Sequence, residues 1–133
     1  MASDPQPPQP GQIGWVDLTV ADAVTVRDFY QDVTGWTPSP VKMGDYDDYC
    51  MTAANGQTVA GVCHQRGVNS DLPPVWMIYI VVADIEESAK RCEARGGKVL
   101  RPVKDMGGGN RYCVIQDPAG AVAALFQSAA PAA

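Results

Sequence analysis

Polar and apolar side chains alternate along residues 13–20, and this period of two predicts a β-strand with one apolar face. The aliphatic face carries Val16, Leu18 and Val20. The mixed face carries Trp15, Asp17 and Thr19. Residues 75–83 form a run that is apolar on both faces, which is typical of a strand covered on both sides.

An internal repeat links these two strands to the segments that follow them. Val20-Ala21-Asp22 ends the first strand, and Val82-Ala83-Asp84 ends the apolar run 62 positions later. The same offset separates Gly35 from Gly97. Two copies of one supersecondary unit are therefore expected, and two copies favour a pseudo-symmetric domain over a solenoid.

A helix is predicted after each strand. Asp22 and Asp84 stand where a side chain is needed to accept the free N–H groups of a first turn. Gly35 and the pair at 96–97 suit the left-handed position that ends a helix. The residues expected to face the core are Val26, Phe29, Tyr30 and Val33 in the first helix, and Ile85, Ala89 and Cys92 in the second.

Three shorter strands complete each unit and give an α+β fold of two βαβββ modules in one domain. They are expected at 37–42, 46–53 and 57–64, and at 98–104, 110–116 and 121–127. We expect module one at 12–65 and module two at 74–127, between disordered tails at 1–11 and 128–133.

Composition narrows the classes of function. The 133 residues carry a formal net charge of −5, which argues against a protein that binds nucleic-acid phosphates through a basic face. No apolar run reaches the ~20 residues of a membrane helix, and no secretory signal is recognisable, so a cytoplasmic location is expected. The four cysteines are widely spaced, which argues against a zinc knuckle and favours reduced thiols.

Several short motifs resemble one superfamily. They are the Val-x-Asp helix entries, Phe29-Tyr30 followed by Gly35-Trp36, and Asp117-Pro118-Ala119-Gly120 before the last strand. Over residues 12–127 the chain resembles the vicinal oxygen chelate superfamily of glyoxalase I, bleomycin-resistance proteins and extradiol dioxygenases. The resemblance implies that the two modules pair to form an open, barrel-like cleft that holds a ligand, and that the protein is a homodimer.

The metal-using members of this superfamily place four ligands, usually His, Glu or Gln, on strands of the cleft. Carried over one by one, these positions fall on Trp15, Met77, Ala124 and a residue near Gly61. None of these side chains is a ligand for a hard cation. We therefore expect no metal and no other cofactor.

The same positions suggest a binding function instead. The resemblance and the strand parity together predict a cleft for a small apolar or aromatic molecule, lined by Trp15, Asp17, Met77, Tyr79 and Phe126. A role in resistance or natural-product handling would follow. The alternative is an enzyme of the same fold, a lyase, isomerase or dioxygenase-like protein with or without a metal, and Asp17 is its best catalytic candidate.

Other polar groups have weaker signals. His64, the single histidine, should point away from the cleft, and the acidic run at 45–49 should be a solvated strand edge. The glycines at 107–109 predict a hairpin turn, and Arg111 beside it is a candidate contact for an anionic ligand group.

Overall fold

The computed structural model describes residues 7–129, and it forms two compact units. The first unit is Trp15–Met77, and the second comprises residues up to Gly14 together with those from Ile78 onward. The elements are β1 (Ile13–Val20), α1 (Ala23–Thr34), β2 (Thr37–Lys42), β3 (Asp47–Thr52), β4 (Thr58–His64), a 3₁₀ turn (Gly67–Asn69), β5 (Trp76–Val81), α2 (Ile85–Ala94), β6 (Lys98–Gly107), β7 (Asn110–Gln116) and β8 (Val122–Gln127). The α+β prediction with a repeated βαβββ order is confirmed.

The sheet of the first unit has the strand order β2-β3-β4-β1. β1 runs parallel to β4, whereas β3 is antiparallel to both of its neighbours. The parallel pairing arises because α1 carries the chain back along the sheet between β1 and the hairpin strands. The core under α1 is built from Ala23, Tyr49, Met51 and Val62, with Val26 and Tyr30 packed against it.

Both ends of α1 follow the sequence prediction, but its predicted apolar stripe is partly wrong. Asp22 caps the helix by accepting from the Thr25 N–H at 3.0 Å, and Gly35 ends it in the left-handed conformation. Phe29 and Val33, however, are 54% and 61% exposed. The packed row runs through Ala23, Val26 and Tyr30, so residues that flank this row lie outside the contact with the sheet.

Three aromatic rings of the first unit, those of Tyr30, Trp36 and Trp76, pack against one another. Trp76 donates its indole N–H to the Tyr30 hydroxyl at 3.1 Å, and its ring lies edge-on to Trp36 at 5.8 Å. The sequence repeat places Trp76 in module two, whereas its contacts lie with the first unit. Tyr30 offers it a hydrogen-bond partner, and Trp36 offers it an apolar surface.

The second unit repeats the plan with the strand order β5-β8-β7-β6. β5 runs parallel to β8, and β7 is antiparallel to both of its neighbours. Asp84 caps α2 by accepting from the Glu87 N–H at 3.1 Å, and Gln127 Oε1 accepts from the Ile85 N–H at 2.8 Å. The core under α2 consists of Ile85, Cys113 and Leu125, with Ile80, Val82, Val103 and Ile115 packed against it.

The described parts of the two terminal segments form hydrogen bonds within the second unit. Gly11 and Gln12 exchange backbone hydrogen bonds with Val81, at 2.7 and 2.9 Å. The Ala129 N–H donates to Asn110 Oδ1 at 2.9 Å. Residues 1–6 and 130–133 of the two expected tails lie outside the described residues. Within 7–129, no helix has the length and apolarity to cross a bilayer.

Candidate functional site: the helix-free sheet faces

Each sheet has one face covered by its helix, and we call the opposite side the helix-free face. In the first unit the register places Asp17 opposite Gly61, Thr19 opposite Cys63, and Cys50 opposite Gly61. Residues paired directly across strands share a face, and residues two apart in one strand do so too. The helix-free face of this unit therefore carries Trp15, Asp17, Thr19, Asp48, Cys50, Gly61 and Cys63.

Trp15 lies over Gly61 on this face. A Cβ placed on Gly61 would lie 3.4 Å from Trp15 Cζ2 and 3.2 Å from the Cβ of Asp17. Any larger residue at position 61 would therefore press on the indole and on Asp17. The missing side chain makes room for the indole, which is half-buried, with Asp17 beside it.

Two carboxylates flank a thiol on the same face. Asp48 is only 6% exposed, and its Oδ1 accepts from the His64 N–H at 2.8 Å, so the expectation that this acid is solvated is wrong. Asp48 is buried because it points toward β4, where the His64 amide satisfies it. Oδ1 of Asp17 is also shielded from solvent.

Cys63 is held in its neutral form. Burial raises the pKa of the Cys63 thiol well above its ordinary value, and the nearby Asp17 and Asp48 carboxylates raise it further. Because the nucleophile is the thiolate, this thiol is unsuited to nucleophilic chemistry at neutral pH.

His64 lies on the other side of β4, where its ring contacts two tyrosines. The ring centroids are 5.6 Å from Tyr46 and 6.3 Å from Tyr49, which is a core residue under α1. The imidazole therefore belongs to the helix side of the sheet, as expected from parity.

The helix-free face of the second unit is aromatic. The register pairs Tyr79 with Ala124, and Tyr112 with Phe126. Tyr79 and Phe126, two of the sequence candidates, are half-buried there, whereas Tyr112 is only 6% exposed. Tyr112 was not among the sequence candidates, although its position two residues before Val114 gives it the parity of this face.

The residues present do not fit a hard divalent cation. Of the four positions that the resemblance points to, Met77 and Ala124 are almost fully buried, and Trp15 and Gly61 are packed together. An indole N–H donates only, and a thioether is a soft ligand. Across the described part of the chain, moreover, no three His, Cys, Asp or Glu side chains are grouped so that they could hold a metal ion.

β6 contains a polar residue of the helix-free face that the sequence did not reveal. Val99 pairs with Ile115, Arg101 with Val114, and Lys104 with Tyr112, so the register shifts twice around Arg101. Arg101 Nη1 donates to the Tyr112 hydroxyl at 3.0 Å, on the helix-free face. In a regular strand, residues 99, 101 and 103 would share one face, which is why alternation alone misplaces this arginine.

The neighbours of Arg101 in β6 face the other way. Val103 packs on the core under α2, and Val99 lies on the same side. There, between α2 and β6, is a groove of about 580 Å³, lined by Glu86, Ala89, Lys90, Glu93, Val99, Pro102 and Val103.

Arg111 is not placed to contact an anionic ligand on the helix-free face. Its Nη2 donates to Glu86 on α2, so the guanidinium is directed to the helix side of the sheet. The adjoining glycines form the expected turn, because Gly107, Gly108 and Gly109 all have positive φ.

Comparison with known proteins agrees with this architecture. The profile of the Glyoxalase/Bleomycin resistance protein/Dioxygenase superfamily matches residues 12–125. The chain belongs to this superfamily. The match covers both βαβββ units and confirms the resemblance drawn from the sequence motifs.

Two relatives extend the comparison within the superfamily. The chain is 34% identical over 121 residues to the putative glyoxylase CFP32 of Mycobacterium tuberculosis, covering 89% of this chain and 46% of the relative. It is 31% identical over 130 residues to the anthracycline biosynthesis protein DnrV of Streptomyces peucetius, covering 89% and 47%. The chain thus spans about half the length of these relatives.

Solved structures share the fold at lower identity. Glyoxalase I from Zea mays matches with a TM-score of 0.61 and 23% identity, over 90% of this chain and 43% of that one. Methylmalonyl-CoA epimerase from Streptomyces coelicolor, in complex with 2-nitronate-propionyl-CoA, matches with a TM-score of 0.56 and 16% identity, over 92% and 100%. At such identities the likeness concerns the fold alone.

Proposed function

We propose that the helix-free face of the first unit binds a small, flat, largely aromatic molecule, and that it does so without a metal. One observation carries this proposal: the indole of Trp15 lies on the bare backbone of Gly61, at a position where metal-using relatives of this fold would need a ligand side chain. The superfamily scaffold is kept, but the side chains at this position favour stacking over coordination.

The chemistry of this face suits an aromatic ligand. A half-buried indole offers a large contact area at a low cost in side-chain entropy, since only two torsions are fixed. Asp17 stands beside it and supplies a carboxylate that can accept from a hydroxyl or amine of the ligand. An apolar surface with a few fixed polar groups is typical of small-molecule sites.

The relatives support the same ligand class. DnrV is named as an anthracycline biosynthesis protein, and anthracyclines are built on a planar ring system. A planar polycyclic compound has the shape that stacks on an indole. We therefore propose natural-product handling, by binding or sequestration, as the biological role.

The test is calorimetric titration with anthraquinone-2-carboxamide, a neutral planar probe. We expect wild type to bind it, and Trp15→Ala to weaken binding about tenfold, because stacking and contact area are both lost. Phe29→Ala is the matched control, since Phe29 is an exposed aromatic residue on α1 of the same unit. Absence of binding by wild type, or equal affinity for Trp15→Ala, would overturn the proposal.

A further inference from the structure

The ladder between β3 and β4 is irregular at one end. It pairs Met51 with Ala60. The following residue, Thr52, pairs with Thr58, which leaves Val59 as an extra residue in β4. A regular strand would direct Thr58 to the same side as Ala60, toward the core under α1. The bulge instead brings Thr58 to the helix-free face, because residues paired directly across strands share a face.

The bulge places two hydroxyl groups in contact. The Oγ1 atoms of Thr52 and Thr58 are 3.3 Å apart, and either of them can donate to the other. Thr52 is half-buried and Thr58 is exposed, so a molecule on this face can reach the pair. Only one hydroxyl proton can lie between the two oxygens, so the second O–H is directed elsewhere. The pair therefore offers a hydrogen-bond donor to a ligand.

This donor lies close to the proposed stacking site. The indole of Trp15 lies over Gly61, which is paired with Cys50. Thr52 is two residues from Cys50 on the same face, and it is thus a diagonal neighbour of Gly61. The Cα atoms of diagonal neighbours are about 7–8 Å apart, which is within reach of an aromatic ring system. A planar molecule stacked on the indole can therefore extend to the Thr52 hydroxyl.

The chemistry of the pair favours an uncharged acceptor. The register partner of Thr52 on β2 is Thr37, which adds another hydroxyl and no charge. An uncharged donor can bind a carbonyl oxygen without the cost of removing water from an ion. The carboxylates elsewhere on this face, when ionised, only accept hydrogen bonds. The hydroxyl pair thus supplies the donor that a carbonyl group of a flat ligand requires.

We propose that Thr52, oriented by Thr58, recognises a carbonyl oxygen attached to the ring system of the ligand. The ligand class is thereby narrowed to quinones and aromatic ketones. This inference rests on the proposed binding of a flat aromatic molecule to the same face, and it adds the polar group that the molecule carries.

The experiment compares anthraquinone-2-carboxamide with anthracene-2-carboxamide, which has nearly the same outline but lacks the two ring carbonyls. Quenching of tryptophan fluorescence during titration gives both affinities. Wild type should bind the quinone about fivefold more tightly, because one neutral hydrogen bond is added. Thr52→Val replaces the hydroxyl by a methyl group of similar size, so it should lose this preference and keep its affinity for the anthracene probe. Thr52→Ser retains a hydroxyl and should keep the preference.

Two further variants separate contact from orientation. Thr58→Val removes the partner that orients the Thr52 hydroxyl, and it should reduce the preference for the quinone in part. Ser70→Ala removes an exposed hydroxyl of the same unit outside the sheet, and it should leave the preference unchanged. If Thr52→Val fails to fold, Thr58→Val still decides, because an unchanged ratio of the two affinities in that variant would overturn the inference.

The outcomes distinguish this inference from the proposed function. Equal affinities of wild type for the two probes would overturn carbonyl recognition and leave aromatic binding intact. A preference for the quinone that persists in Thr52→Val would also overturn it, because the preference would then arise from the rings alone. If wild type bound neither probe, the proposed function would fail together with the inference.

Discussion

β2 and β6 occupy equivalent places in the two units, but their register is different. β2 pairs with β3 through six consecutive residues without a shift, from Thr37 to Lys42. β6 pairs with β7 through three shifts between Lys98 and Gly107. Both strands lie at the end of the strand order of their own unit, where an irregular ladder disturbs a single neighbour. The two units therefore share one strand order, while β6 has an irregular register that β2 lacks.

The helix-free faces of the two units also carry different polar groups. In the first unit the indole of Trp15 is accompanied by the carboxylates of Asp17 and Asp48. In the second unit, Arg101 and the phenol of Tyr112 take the polar role. The two units thus repeat one strand order but carry different polar groups on their helix-free faces.

The largest expected difference between the units concerns the equivalent glycines Gly35 and Gly97. A Cβ on Gly97 would lie 2.7 Å from Cys92 Sγ and 2.8 Å from the Gln116 carbonyl oxygen, so Gly97→Ala forces the backbone apart. We expect it to lower the free energy of unfolding by about 2–3 kcal/mol. Gly35 has open space around it but a φ of 78°, so Gly35→Ala should cost about 1 kcal/mol.

Urea unfolding measures the loss of stability in Gly97→Ala and in Gly35→Ala. Two further variants identify the cause of each loss. Cys92→Ala in the Gly97→Ala background should restore part of the stability, because the sulfur contact is relieved while the carbonyl contact remains. Gly35→Asn should cost less than Gly35→Ala, since asparagine tolerates the left-handed region. Equal costs for the two alanine variants would contradict the distinction.

Features set by local chemistry were predictable from the sequence. The N-caps at Asp22 and Asp84 follow from residues three positions apart, and the sequence predicted them correctly. The candidate Trp15 followed from the family resemblance and Asp17 from strand parity with it, and the structure places both beside Gly61. The caps and the parity needed only one helical turn or a regular strand.

Features that depend on register were beyond the sequence. The position of Arg101 follows from two shifts in the register of β6 against β7. The sequence of β6 indicates these shifts only through Pro102, which cannot donate to the ladder. The burial of Asp48 likewise follows from its meeting the His64 amide across the β3–β4 pair. The exposure of Phe29 reflects the width of the contact between α1 and its sheet.

An effect of intermediate size is expected for two thiols. Cys63 lies on the helix-free face of the first unit, and Cys113 lies in the core of the second. Burial raises the pKa of Cys113 to about 11, whereas the raised pKa of Cys63 also reflects Asp17 and Asp48. Asp48→Asn should lower the pKa of Cys63 and speed its alkylation by iodoacetamide several-fold at pH 9, because one repelling charge is removed. The rate at Cys113 should not change.

Peptide mapping by mass spectrometry follows the two sites in one sample. The amide oxygen of Asn can still accept from the His64 N–H, so the variant keeps the hydrogen bond that positions residue 48. A parallel acceleration at Cys113 would indicate general loosening of the protein and would refute the electrostatic explanation.

The smallest effect is expected at the N-caps, where the two units differ by one hydroxyl. Asp22 accepts from both the N–H and the hydroxyl of Thr25, whereas Asp84 accepts the N–H of Glu87. The Thr25 hydrogen bonds hold the pKa of Asp22 below its ordinary value of 3.8. Its contribution to stability is therefore present above pH 3.8 and is lost as the pH falls through the lowered folded-state pKa.

Asp22→Asn tests this prediction because an amide caps the helix without titrating in this range. In urea unfolding from pH 6 to pH 2.5, the stability advantage of wild type over Asp22→Asn should shrink below pH 4. Thr25→Ala keeps the backbone bond but removes the hydroxyl bond, so its decline in stability should be shallower than that of wild type. If wild type and Asp22→Asn lost stability in parallel, the Asp22 carboxylate would not prefer its ionised form in the folded state.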